Sequence, residues 1–373
     1  MNLSAREQKG FSLTELLVAL ALAGVILGGV VGAVSSSRKS YQTQEEGIAL
    51  SEDARFAIDL LEYDIRHAGY MGCASLDNAG FANIFKINAS NADQVKMAEL
   101  HGIAKAPLPG VEVFTVEAGA ALPTYLPANA SVNNDVLLTR YADPDLHQSI
   151  QSHAHLNPYN FIFHEEPFFI SGQPLYIVDA SCREAALIRS GAVTSTDKKA
   201  AYGGAHCTTV LKTSSGEQVS CATAGCANNN CGSSTPGQYA PGSKIYDAVA
   251  VAYFVAPSAL DNSSLALKRV KTSTSTVVYE EIIQNVLSFQ VILGVDASTP
   301  FDGLADKYVS PKLLTPKERD QIVSAKYELI IRSEQPFYET DQPIQFSDRP
   351  NIAAGSDRYR RKLVSQSISM RNL

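Results

Sequence analysis

Glu15 is an acid in an unusual place. It is the one ionisable side chain in a run of about 24 residues, Phe11 to Val34, that is otherwise apolar, small or hydroxylated. A helix of that length rises about 1.5 Å per residue and crosses a bilayer core of about 30 Å. A carboxylate in such a segment costs a few kcal/mol on insertion, so it reads as functional. A break, Lys9-Gly10-Phe11, precedes the run, whereas a secretory signal carries its small-residue cleavage site after the apolar core.

Other groups capable of chemistry read as structural. The six cysteines are even in number and all follow the apolar run, as in disulfides formed in an oxidising compartment. Cys207, Cys221, Cys226 and Cys231 have 13, 4 and 4 residues between them. A zinc site wants two closely matched pairs, which these are not. The expected pairing links Cys73 to Cys182 and joins the other four among themselves. His153, His155 and His164 with Glu165 and Glu166 read as polar loop residues rather than metal ligands. Asp143 with Asp145, and Asp296 with Asp302, lack the spaced ladder of a calcium loop. There is no Gly-x-Ser-x-Gly, phosphate loop or dinucleotide fingerprint. No catalytic residue, metal or cofactor is expected.

Lys9, Gly10, Phe11, Ser12, Leu13, Thr14 and Glu15, followed by an apolar helix, resemble the class III leader shared by type IV pilins and type II secretion pseudopilins. The resemblance implies cleavage after Gly10 by a membrane-embedded prepilin peptidase and methylation of the new amine on Phe11. Physical chemistry fits that implication. Gly10 lets an extended backbone lie close to a protease's catalytic groups. The exposed ammonium would sit at a helix N-terminus, where the macrodipole disfavours it and favours an anion such as Glu15. In a filament, Glu15 of an incoming subunit would pair with the Phe11 amine of its neighbour. Such a poorly solvated pair selects axial register more than it adds stability.

These groups need a helix to position them. Gly24, Gly28 and Gly32 recur every fourth residue, a spacing that lets helices approach closely or loosens the helix itself. Beyond the apolar run, Ala54, Ile58, Leu61 and Ile65 form a stripe of helical period, and no proline interrupts residues 11 to 66. One helix of about 55 residues, roughly 80 Å long, is expected, ended by Gly69 and Gly72. Lysine and arginine are balanced across the apolar run, with Arg6 and Lys9 before it and Arg38 and Lys39 after it. The leader resemblance, not the charge rule, places the N-terminus in the cytoplasm.

The remainder is large enough for one sizeable head. The formal net charge of −7 argues against nucleic acid as main partner. Five runs in the last third alternate as strands: Ile245 to Ala256, Leu265 to Lys271, Val277 to Ile283, Leu287 to Val295 and Val323 to Arg332. Tyr359 to Met370 is a sixth. Earlier candidates are Asp135 to Tyr141, Phe161 to Phe163 and Pro174 to Asp179. Short spacing between the runs of the last third argues for an antiparallel meander there. The expected fold is α+β and pilin-like: a long N-terminal helix packed on an antiparallel sheet, with a Cys-rich loop insert. The expected parts are a leader (1–10), a transmembrane half-helix (11–34), an amphipathic half-helix (35–68) and a β-rich head (69–373) with its insert at 203–243.

Several stretches resemble PilW-type minor pilins: Gly69-Tyr70-Met71-Gly72-Cys73, the strand before Asp-x-x-Cys182, Leu267-Lys268-Arg269-Val270, Ile283-Gln284-Asn285-Val286 leading to Leu293-Gly294-Val295-Asp296, and Arg360-Arg361-Lys362 running to Met370-Arg371-Asn372. This implies a non-enzymatic subunit that helps prime type IV pilus assembly and sits at the filament tip. The implied partners are other minor pilins, the major pilin, prepilin peptidase, the inner-membrane assembly platform and membrane lipid. The head would be periplasmic, then at the cell surface after assembly. A J-like pseudopilin and a pilin-stalked adhesin are the alternatives.

Overall fold

The computed structural model describes residues 12–74, 80–84, 91–102, 110–154, 160–201, 211–212, 218–219, 239–274, 276–319, 321–344 and 356–370. Helix α1 spans Leu13–His67 without a break. It stops where Ala68 turns to extended backbone and Gly69 takes φ +81°, a left-handed conformation that suits glycine. The Gly69 N–H then donates to the Arg140 carbonyl at 2.9 Å, so the chain passes from helix onto a strand.

Only the rear of α1 is buried. Leu50, Ala54, Ala57, Leu61 and Ile65 line its inner face, together with one acid, Asp64. The sequence stripe placed Ile58 at the centre of that face. In the structure Ile58 lies half-buried at its margin and Ala57 takes the centre. The small side chain lets the helix sit close to the sheets.

Thirteen strands build most of the two main sheets. They are β1 (Gly80–Ile84), β2 (Val111–Thr115), β3 (Asp135–Ala154), β4 (Asn160–Phe163), β5 (Pro174–Val178), β6 (Glu184–Arg189) and β7 (Lys244–Pro257). β8 (Leu265–Ser273), β9 (Thr276–Ile283), β10 (Val286–Val295), β11 (Lys307–Val309), β12 (Ile322–Arg332) and β13 (Arg361–Ser369) follow. β3 and β7 pair antiparallel and form the spine of the larger sheet, with Lys244 opposite Ser149 and Tyr253 opposite Leu137. β7 changes partner along its other edge, from β5 to β8. β6 lies beyond β5 and β1 beyond β6. A second sheet runs in the order β11, β10, β12, β13.

The antiparallel pairing expected of the head is present, divided between two main sheets, and within the larger one β1 pairs with β6 in parallel. The Ala- and Asn-rich stretch before β2 holds helix α2 (Ala92–Leu100), capped by the Asn91 side chain accepting the Gln94 N–H.

The rear of α1 packs into the space between the two sheets. Leu61 and Ile65 join Val251, Tyr253 and Val255 of β7 with Phe289, Leu329 and Val364 of the second sheet. The intervening β7 residues, Ala250, Ala252, Phe254 and Ala256, face the opposite core with Met97 and Leu100 of α2. Burial on both faces explains why this strand reads as a continuous apolar run. Polar contacts fix the sheets to each other: Phe289 N–H to Asn134 Oδ1 and Val291 N–H to Asp135 Oδ2, both 2.8 Å.

The segment 203–243 is not wholly an insert. Leu211–Lys212 pairs with β1 and with Gln218–Val219, and Tyr239 is buried among the core aromatics. Cys207, Cys221, Cys226 and Cys231 lie outside the described residues, as do Lys9, Gly10 and Phe11.

Candidate assembly site

The front half of α1 makes no contact that buries it. Residues 12–42 are all exposed, and the most apolar window of the helix has a mean hydropathy of 2.6. Leu13, Leu20, Leu27 and Val34 are among its uncovered side chains. An apolar cylinder of this length requires lipid or neighbouring helices around it. Gly24, Gly28 and Gly32 share one side, and a Cβ placed on any of them would meet nothing within 4 Å. They leave open notches on that side, and α1 stays helical through all three.

Glu15 stands at the third helical position after Ser12. Its carboxylate folds back to accept the Ser12 N–H at 3.1 Å, while the Ser12 and Thr14 hydroxyls bond each other at 2.7 Å. The acid satisfies an orphan donor of its own helix start and remains exposed beside it.

At the other end, α1 is fastened to the head by a buried polar knot. Asp64, 4% exposed, accepts the Tyr141 hydroxyl at 2.7 Å and the Tyr253 hydroxyl at 2.5 Å. Burial pushes the Asp64 carboxyl up, and the two hydroxyls only partly oppose that. Burial and the nearby Asp64 charge raise Tyr141 and Tyr253 in turn, so both remain donors. Arg269 extends the network, bonding Glu280 at 2.5 Å. Tyr63, His67 and Tyr141 pack their rings over the knot. Just beyond, a disulfide joins Cys73 to Cys182 with a Cα–Cα distance of 5.4 Å. Gly72 (φ +71°) precedes it, with the Tyr246 hydroxyl 2.7 Å from where a Cβ would stand. Sequence reasoning missed Asp64 altogether. Its signal is an acid at helical spacing among Leu61, Ile65 and Ala57.

The remaining polar candidates have local roles. His153 is buried, stacks on Phe161 and takes the Tyr239 N–H on Nδ1 at 3.0 Å. His164, Glu165 and Glu166 are exposed, and His155 lies outside the described residues. Asp143 accepts the N–H groups of Asp145 and Leu146 in a turn. Burial alone would raise Asp296, but N–H donors from Ser298, Asp302 and Gly303 and the Ser298 hydroxyl hold its carboxyl down to about 2. Among the described residues, no three His, Cys, Asp or Glu side chains gather as a metal set.

Two family comparisons match the chain. The prokaryotic N-terminal methylation motif covers residues 5–31, and the family described as type IV pilus-assembly protein W covers residues 252–372. No curated protein and no solved structure matches the chain. The first match falls on the leader and exposed half-helix, and the second on the end of β7 and everything after it. With its long N-terminal apolar helix and β-rich head, the chain is similar to type IV pilin-class subunits over these two stretches. Over residues 252–372 it resembles the type IV pilus-assembly protein W family, and the two matches support a minor pilin.

Proposed function

We propose that this chain helps prime type IV pilus assembly. It would be cut after Gly10, methylated on Phe11, and associate through α1 with other minor pilins before major pilin is added. The observation that carries this is the contrast within one helix. The front half is apolar, notched by Gly24, Gly28 and Gly32 and wholly uncovered, while the rear half is fixed into the head by Leu61, Ile65 and Asp64. A helix held firmly at one end and bare at the other suits a subunit that adds to a helical bundle. The PilW match over the second sheet favours the pilus over a secretion system. The periplasmic placement of the head, the peptidase, and the assembly platform as partners belong to the same reading.

The test is intact-mass analysis of membrane-extracted protein. The expected mature chain begins at a methylated Phe11. A bulky residue in place of Gly10 should leave the precursor uncut. A mature chain that retains Met1 to Gly10 would overturn the proposal.

A further inference from the structure

We propose that the loop after β12, residues 334–344, is a foot that rests the head on the lipid surface of the bilayer that α1 crosses. The inference depends on the front half of α1 spanning a membrane.

Contacts with α1 give the height of the loop. β13 climbs beside the helix: Lys362 Nζ bonds Ser51 Oγ at 3.1 Å, and farther up Gln366 Nε2 bonds Glu62 Oε2 at 3.0 Å. The loop lies in the other direction, because Glu339 makes an ion pair with Lys39. From Ser51 down to Lys39 is about 18 Å of helix, and from Lys39 to Val34, the last apolar residue of the run, only about 8 Å more. A bilayer of about 40–45 Å with a core of about 30 Å leaves a headgroup layer of about 5–8 Å on each side. Lys39 and the loop it holds therefore stand at the outer margin of the headgroups.

The side chains at that height suit the place. Phe337 and Tyr338 form an edge-to-face pair with centroids 4.9 Å apart, and the Arg360 guanidinium lies 5.1 Å over the Phe337 ring. On the adjacent turn of α1, Arg38 and Lys39 are followed by Tyr41, which is 70% exposed. Tyrosine and arginine are the residues that settle at a membrane–water boundary, ring toward the chains and polar end toward water. Glu334, Glu339 and Asp341 share the loop, so net positive charge is not what holds it down. The rings are the anchor, and Lys39–Glu339 fixes the loop to the helix. The foot would set the tilt of the head while the subunit waits in the membrane.

The chain has no tryptophan, so one introduced indole reports from one place. Tyr338→Trp and Phe301→Trp are each made in the full chain. Phe301 is exposed and lies in the loop after β10, beside the Val295 end that pairs with Ile322 rather than the Arg332 end. Both variants are placed in phosphatidylcholine nanodiscs with and without bromine near the headgroup end of the acyl chains. The Tyr338→Trp emission should be blue-shifted and lose about half its intensity to bromine, with Phe301→Trp unchanged. Equal, unquenched emission from both sites would overturn the foot while leaving the membrane span intact. A chain that fails to enter nanodiscs at all would overturn the span and the foot together. Hydrogen exchange on the unsubstituted chain guards against a folding defect in Tyr338→Trp. Amides of residues 334–344 should exchange more slowly in nanodiscs than in a detergent micelle, and equal rates would also overturn the proposal.

Discussion

Asp64 is the most consequential single residue of the head. It sits on the apolar face of α1, yet both carboxylate oxygens are used, one by each tyrosine hydroxyl. Asp64→Ala would leave two buried hydroxyls without their acceptor and should destabilise the head by roughly 2–4 kcal/mol. Tyr253→Phe removes one donor and should cost about 1–2 kcal/mol, measured by denaturant unfolding of the solubilised chain. Equal, negligible effects would mean that water replaces the network freely. Asp247 shows the opposite logic. It occupies the bulge where β7 loses register against β3, and its carboxyl accepts from Gln173 at 2.7 Å. Burial, with the neighbouring Asp143 charge, raises it to about 6. The native state therefore binds this proton more tightly than the unfolded chain does. The stability contributed by the protonated acid is complete below about pH 4 and is lost as pH rises through 6. Asp247→Asn should flatten that part of the pH–stability curve and raise stability at pH 7 by about 1–2 kcal/mol. An unchanged curve would show that Asp247 titrates like an exposed acid.

At the scale of elements, α1 links the two ends of the molecule. Leu61 is fully buried between the sheets, so Leu61→Ala should cost about 2–5 kcal/mol and loosen the rear of the helix, seen as faster amide exchange over residues 50–67. The stretch from Ser12 to Val34 should not change, because every residue in it is exposed. Much of this was legible in the sequence. The helix declared its length through an unbroken apolar run followed by a 3.6-period stripe, and the late strands through alternation. Other features carried little sequence signal. The parallel pairing of β1 with β6 joins residues about a hundred positions apart, and no local pattern encodes such a partner. Helix α2 hid in an Ala- and Asn-rich stretch because it is short and only Met97, Ala98 and Leu100 are buried. Asp64 was overlooked because polarity alone assigns an acid to the wet face. Arg140 is fully buried for the same kind of reason, its charge met by Glu112 and by the Leu100 carbonyl.

At the scale of the whole molecule, the disulfide and Glu15 act at opposite ends of the same design. Cys73–Cys182 spans 109 positions and ties the chain just after α1 to the strands that follow β5. Closing so long a loop restricts the unfolded chain by as much as about 4–5 kcal/mol, so Cys73→Ser with Cys182→Ser should lower the head's Tm without dislodging the membrane span. For Glu15 we propose a role in assembly instead. Within one chain its carboxylate already has a partner in the Ser12 N–H, a bond that a neighbour's Phe11 amine would compete with or share. Losing that bond is minor, roughly 0.5–1 kcal/mol at an exposed helix start, and removing the acid relieves the cost of placing it in lipid. Glu15→Ala should therefore insert as well as the parent, and cleavage after Gly10 should persist because the scissile bond is untouched. Association should fail. Copurification of other minor pilins from membranes should drop sharply, and surface pili should be lost when this copy is the only one present. Glu15→Gln separates charge from shape, since it keeps a carbonyl for the Ser12 N–H but cannot pair with an ammonium. If Glu15→Gln fails as completely as Glu15→Ala, the charge is what the neighbouring subunit reads. If both recover normal partners and normal pili, the carboxylate serves the helix start of its own chain and has no role between subunits.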